Sequence, residues 1–187
     1  YFENKKYVIF KLPYTFITKF FCLYKKINYS KSLSFFFVQM NNHNLIIQIN
    51  DFELCNEIGS GSFGTVYTIK KIKTGEIYAA KLLRKKIEKM NKNEQHDFKR
   101  EVNNLAKINH PAVLQFIGYS EKDFDGNNYP VIATEYMPKG SLSNFIGSGN
   151  QDWNSTKKLI CIYGIAKAMY FLHSKNLIHR DLKPENI

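Results

Sequence analysis

From residue 52 onward, hydrophobic and polar positions repeat with recognisable periods. Phe52, Leu54, Asn56 and Ile58 alternate with Glu53, Cys55 and Glu57, predicting a strand over 52–58 with one polar lapse at Asn56. The β-branched run Thr65-Val66-Tyr67-Thr68-Ile69 predicts a second strand. After a Thr74-Gly75 turn, Glu76 to Leu83 predicts a third, and Tyr129 to Thr134 reads as another. Helical spacing takes over at 94–109, where Phe98, Glu101, Leu105 and Ile108 fall on one face and His110-Pro111 ends the run. Residues 155–173 carry Leu159, Ile162, Ala166, Met169 and Leu172 at helical intervals, predicting an amphipathic helix. Ile160, Tyr163, Ile165 and Phe171 lie off that stripe, the pattern of a helix that neighbours would enclose, and part of this apolar surface is expected to face water.

Residues 1–39 follow no such rule. They hold 13 of the 28 aromatic residues, seven lysines and a single acid, with no glycine. Lysines interrupt the apolar runs, which leaves neither a signal-peptide core nor a cleavage site. The longest uncharged stretch, 32–50, is broken by asparagines, glutamines and His43, so it is not a membrane span. The first methionine is Met40, and the residues that dominate before it are those of A/T-rich codons. Three readings stay open: noncoding sequence read in frame, a hydrophobic extension packed on the domain, and a basic amphipathic anchor. The expected organisation is a non-domain extension over 1–39 and a lead-in over 40–51.

Charge and cysteine content narrow the picture. More than half of the net charge of +11 lies in that extension. The remainder lacks an interleaved aromatic and basic platform, so no nucleic-acid partner is expected. The basic run from Leu82 to Lys92 reads as a solvated connection, with nucleic acid or lipid binding as the alternative. Three cysteines (Cys22, Cys55 and Cys161) lie far apart with no Cys-x-x-Cys pair. That excludes a disulfide scaffold or zinc ribbon and points to a reducing, cytoplasmic setting.

The chemistry begins between the first two strands. Gly59-Ser60-Gly61-Ser62-Phe63-Gly64 joins strand to strand, which makes it a hairpin rather than the strand-to-helix turn of a dinucleotide fold. Without Cβ atoms, Gly59, Gly61 and Gly64 let the backbone approach a ligand and turn its N–H groups toward phosphate oxygens. No Gly-x-x-x-x-Gly-Lys-Ser/Thr run occurs, so this is not a P-loop. On the third strand, Lys81 shares the face of Ile77, Ala79 and Leu83. A lysine there either snorkels at the strand end or needs an anionic partner, because burying it unpaired is costly. Glu101 is an acid on an apolar helix stripe, and the two misplaced charges are best explained as a pair.

The chain ends in His179-Arg180-Asp181-Leu182-Lys183-Pro184-Glu185-Asn186-Ile187. With the glycine loop, Val66, Lys81 and Glu101 preceding it at the right order and interval, the chain resembles the eukaryotic protein kinases over residues 52–187. The resemblance implies an α+β fold: a kinase small lobe and hinge over 52–137, built of an antiparallel sheet and one helix, then the first helices of the large lobe over 138–187. It implies ATP and Mg²⁺ as cofactors and the serines and threonines of proteins as substrates. The nucleotide would lie against Ile58, Gly59, Ser60, Gly61, Ser62, Phe63, Gly64, Thr65, Val66 and Ala79. Thr134 would be the gatekeeper, and the Glu135 carbonyl and Met137 amide would bond adenine. Lys81 would hold the α- and β-phosphates, with Glu101 positioning its ammonium. Asp181 would accept the substrate hydroxyl proton, Asn186 would hold Mg²⁺, and Lys183 would meet the γ-phosphate, as in Ser/Thr kinases.

HPAVLQFIGYS and EYMPKGSL are similar to the tyrosine-kinase-like branch, whose members often phosphorylate Ser/Thr. Tyr78-Ala79-Ala80-Lys81 departs from the usual Val-Ala-Ile-Lys but keeps the alanine and lysine that matter. In the family an Asp-Phe-Gly motif, an activation loop and Ala-Pro-Glu follow the asparagine, and none occurs here. The chain is therefore expected to be a truncated kinase that binds Mg-ATP weakly and is inactive alone. The competing expectation is a truncated nucleotide- or partner-binding module without catalysis.

Overall fold

The computed structural model describes residues 45–61, 64–146, 153–179 and 181–187. The extension over 1–39 and Met40 lie outside the described residues.

One antiparallel sheet of five strands forms the main body, in the order β1-β2-β3-β5-β4. Strands β1 (Phe52–Gly61) and β2 (Gly64–Lys71) pair from Phe52↔Lys71 to Gly61↔Gly64. Strand β3 (Ile77–Leu83) follows the Thr74-Gly75 turn, where Gly75 takes a φ of 72° that suits glycine. Strands β4 (Phe116–Ser120) and β5 (Val131–Glu135) complete the sheet. The even alternation expected over 52–58 breaks in β1. Register irregularities fall between Leu54 and Glu57 and between Glu57 and Gly59, and they reset which face each side chain takes. Phe52 is buried, whereas Leu54 is 41% exposed.

The two faces of the sheet bury different clusters. Ile69, Ala80, Val131 and Ala133 form one core with Phe52. On the other face, Phe116 and Ile132 pack with Phe98 and Val102 of helix α1 (Lys92–Ala106). This helix starts two residues before the expected span because Asn91 caps it. The Asn91 side chain accepts from the Glu94 N–H at 2.9 Å, and the Glu94 carboxylate accepts from the Asn91 N–H at 2.8 Å. It ends at Ala106, which leaves Ile108 buried but beyond the helix.

Two further helices follow. Helix α2 (Leu142–Ile146) is short, and helix α3 (Ser155–Ser174) matches the predicted span but not its predicted face. Its buried residues are Cys161, Gly164, Ala168 and Leu172, whereas Leu159 and Ile162 are 68% and 63% exposed. Small residues let a neighbouring segment approach there, and an all-round apolar helix gives periodicity little direction. Leu142, Cys161 and Ile187 form a separate small core, and the Leu142 N–H donates to the Ile187 carbonyl. That contact draws the last residues of the chain against α2.

Candidate functional site

Strand register gathers four of the predicted nucleotide residues on one face. Val66 lies opposite Lys81, Ala79 opposite Thr134, and Gly59 opposite Val66. Directly paired residues point the same way, so Val66, Ala79, Lys81 and Thr134 share the face that α1 partly covers. Val66, Ala79 and Thr134 are buried, and Ile58, Gly59 and Thr65 are half-buried. Ser62 and Phe63, also expected at the nucleotide, lie outside the described residues.

The glycines of the hairpin divide by role. A Cβ on Gly64 would collide with the Leu82 carbonyl oxygen of β3, so glycine is required there for the strands to close. A Cβ on Gly61 would meet nothing within 4 Å, which leaves open space for a ligand. Gly64, expected to allow a ligand's approach, thus has a packing role that the sequence did not reveal. Arg84, from the basic run after β3, donates through Nη2 to Ser60 Oγ at 2.9 Å. Lys85 bonds the Glu94 carboxylate at 2.6 Å, and Lys86 lies 5.1 Å over the Tyr129 ring. These three members of the run are held by the protein's own groups.

Lys81 is the most buried cation of the site, only 4% exposed. Burial drives its pKa down, the Glu101 carboxylate pushes it back up, and the balance leaves it at about 8. Glu101, on α1, is thus the anion whose charge opposes the effect of burial on Lys81. At the far end of β5, the Thr134 hydroxyl donates to the Glu135 carbonyl at 3.3 Å. The Glu135 N–H donates to the Gln115 carbonyl at 2.9 Å, and its carboxylate accepts from the Gln115 N–H at 2.6 Å. Gln115 went unnoticed in the sequence because a cross-strand clamp has no local signature. Met137 is buried, and Gly140, at a φ of 75°, turns the chain just beyond it.

The second cluster sits in the terminal loop. Pro184 opens a single tight turn over Pro184–Asn186 that carries Asn186 back onto Asp181. The Asn186 Nδ2 donates to the Asp181 carbonyl at 2.7 Å and to its Oδ2 at 2.9 Å. Lys183 Nζ lies 3.7 Å from the Asp181 Oδ1. Burial holds the His179 imidazole below its usual pKa, partly offset by the charge of Asp181. Arg180 lies outside the described residues. The structure therefore brings Asp181, Lys183 and Asn186 into one constellation, and Lys81 and Glu101 into another. The His110 and Phe171 rings, stacked at 4.7 Å, tie the segment after α1 to helix α3.

This constellation leaves one atom poised for a ligand. Asn186 Oδ1 is buried and accepts no hydrogen bond, while its amide nitrogen is fully committed to Asp181. A neutral oxygen with free lone pairs suits a hard divalent cation. Among the described residues no group of three or more His, Cys, Asp or Glu could cage a metal. The donor set fits a cation held by few protein oxygens together with substrate phosphates.

A matching sequence family covers the same elements. Residues 52–187 match the protein kinase domain. The chain belongs to the protein kinase family. Its relatives include an Aurora kinase of Yarrowia lipolytica, 36% identical over 139 residues, covering 74% of this chain and 36% of that kinase. The Aurora kinase of Saccharomyces cerevisiae is 36% identical over 141 residues, covering 75% of this chain and 37% of the relative. The serine/threonine-protein kinase AtPK1/AtPK6 of Arabidopsis thaliana is 36% identical over 143 residues, covering 76% and 29% respectively. The chain thus spans about a third of the length of these relatives. No helix among the described residues is long and apolar enough to cross a membrane.

Proposed function

We propose that this chain carries the nucleotide-binding sheet and catalytic loop of a protein kinase that transfers phosphoryl groups from ATP to protein serine and threonine. The observation that carries the reading is the pair of constellations: a buried lysine coupled to a helix glutamate, and an aspartate held by an asparagine whose own oxygen is unused. In this reading Val66 and Ala79 pack on adenine, Thr134 guards the back of the site, and the Glu135 carbonyl and Met137 amide fix the ring edge. Ile58 and Gly59 to Thr65 cover the phosphates, and Lys81 neutralises them while Glu101 holds its ammonium. Asp181 orients the substrate hydroxyl and takes its proton, and Lys183 offsets charge on the transferring group. Mg²⁺, which Asn186 Oδ1 would help to hold, supplies charge neutralisation on the phosphates.

Lys183 two residues after Asp181 favours hydroxyls of serine and threonine over tyrosine, and the three relatives above are named as kinases of Aurora and serine/threonine type. Within the family, HPAVLQFIGYS and EYMPKGSL favour the tyrosine-kinase-like branch. A cytoplasmic setting is supported by free thiols at Cys55 and Cys161.

Nucleotide binding tests the site. With a fluorescent ATP analogue, the chain should bind more tightly in Mg²⁺ than in its absence. Lys81→Met should weaken binding about tenfold or more, the loss of one strong ionic contact. Asn186→Ala should abolish the Mg²⁺ dependence alone. Binding indifferent to Mg²⁺ and to both substitutions would overturn the assignment.

A further inference from the structure

We propose that residues 45–47, upstream of the kinase-domain match, are a positioning element for the Lys81–Glu101 couple. The path runs through the edge strand β4 and Tyr119.

Ile46 forms a parallel bridge with Tyr119. The Tyr119 N–H donates to the Leu45 carbonyl, and the Ile47 N–H donates to the Tyr119 carbonyl, both at 2.8 Å. This short strap covers the open edge of β4, whose N–H and C=O groups would otherwise face water. Its seat is shaped for it. A Cβ on Gly118 would collide with the Ile47 side chain and approach the Leu45 carbonyl oxygen to 2.9 Å.

The strap reaches the site through two contacts. The Tyr119 ring stands edge-on to Phe98 of α1, with centroids 5.9 Å apart and planes at 76°. Leu45 packs against the cluster that Phe98 and Val102 build with Phe116 and Ile132. Phe98 and Glu101 are three residues apart on α1, on neighbouring positions of one helix face. Glu101 is the group that raises the Lys81 pKa against burial, so a shift of α1 changes that charge interaction. Ile47 and Ile49 pack instead on the opposite core, with Phe52 and Ile69. Among its described residues the upstream segment therefore grips both sides of the sheet, with Leu45 on the helix side, where Tyr119 of β4 also meets Phe98.

This rests on the kinase reading for its functional weight, but its test needs no phosphotransfer. Competitive acetylation of Lys81, read by mass spectrometry across pH on the whole chain, gives the midpoint of its titration. Glu101→Gln calibrates the effect by lowering that midpoint. Leu45→Ala should lower it in the same direction by about half a unit. Ile49→Ala, a comparable apolar truncation on the opposite core, should leave it in place while lowering the melting temperature to a similar degree. In the Glu101→Gln background, Leu45→Ala should add nothing, because the two act through one interaction. Equal shifts from Leu45→Ala and Ile49→Ala would reduce the strap to general stability and overturn the proposal. So would an upward shift, an unchanged midpoint in folded Leu45→Ala protein, or full additivity with Glu101→Gln. Nucleotide binding lost in Lys81→Met while these shifts fail would spare the kinase reading and sink this one alone.

Discussion

A single lysine carries the largest conflict of forces in this chain. Lys81 is buried among β-sheet residues, and Glu101 offsets only part of the desolvation, so its pKa falls from 10.5 to about 8. The unfolded chain keeps the ordinary value, and the sign of the linkage follows. Below pH 8 both states are protonated, and the burial of charge opposes folding in full. Between pH 8 and 10.5 the folded chain has lost its proton while the unfolded chain still binds one, so this group's contribution to stability rises with pH. Lys81→Met should therefore be more stable than the parent at pH 7, by a margin on the order of a few kcal/mol. The margin should shrink steadily toward pH 10.5. Urea denaturation of both proteins at several pH values reads the difference directly. A margin that does not change with pH would mean Lys81 is not buried as a charge. Such strain is tolerated where an anionic ligand relieves it, and bound nucleotide phosphates should narrow the same margin at neutral pH.

Elements separate what periodicity can show from what only packing decides. β2, β3, β5, α1 and α3 were legible because each carries a run of residues at its own repeat, and the site residues they present were legible from motif spacing. β4 was not: Gly118 interrupts its short run, and a register irregularity separates it from Phe116. The reason for that glycine, the close pass of Leu45 and Ile47, lies far away in sequence. Val102, 2% exposed, was missed because it lies beside the chosen stripe of α1 rather than on it. The hairpin offers a sharper test of packing against ligand roles. Gly64→Ala should cost roughly 1–3 kcal/mol in denaturant titration, since the new methyl meets the Leu82 carbonyl and β2 must move off β3. Gly61→Ala, facing open space, should change stability by no more than about 0.5 kcal/mol while still weakening nucleotide binding. Equal stability losses at the two positions would contradict the division of roles.

At the scale of the described residues, the centre of the sheet is enclosed on both faces and α3 is not. The sheet buries two clusters and has its β4 edge covered, whereas α3 buries the face of Cys161, Gly164, Ala168 and Leu172 and leaves Leu159, Ile162, Tyr163 and Tyr170 more than half exposed. Contiguous apolar surface of this kind favours association. Leu159→Lys combined with Ile162→Lys should therefore raise the soluble yield and reduce light scattering at a given concentration. Both positions already face water, so the thermal midpoint should stay nearly unchanged, with less than about 1 kcal/mol lost. Leu172→Ala should behave oppositely: it opens a cavity beside a 3% exposed side chain and should cost about 2–5 kcal/mol without improving solubility. The contrast distinguishes the two faces because both changes remove leucine from one helix. If the double lysine variant unfolds the chain, that face is packed in solution and the orientation of α3 is wrong. If it stays folded yet scatters light as before, association runs through another surface, and Ile72 in the turn after β2, at 61%, and Ile77 of β3, at 42%, become the next to substitute.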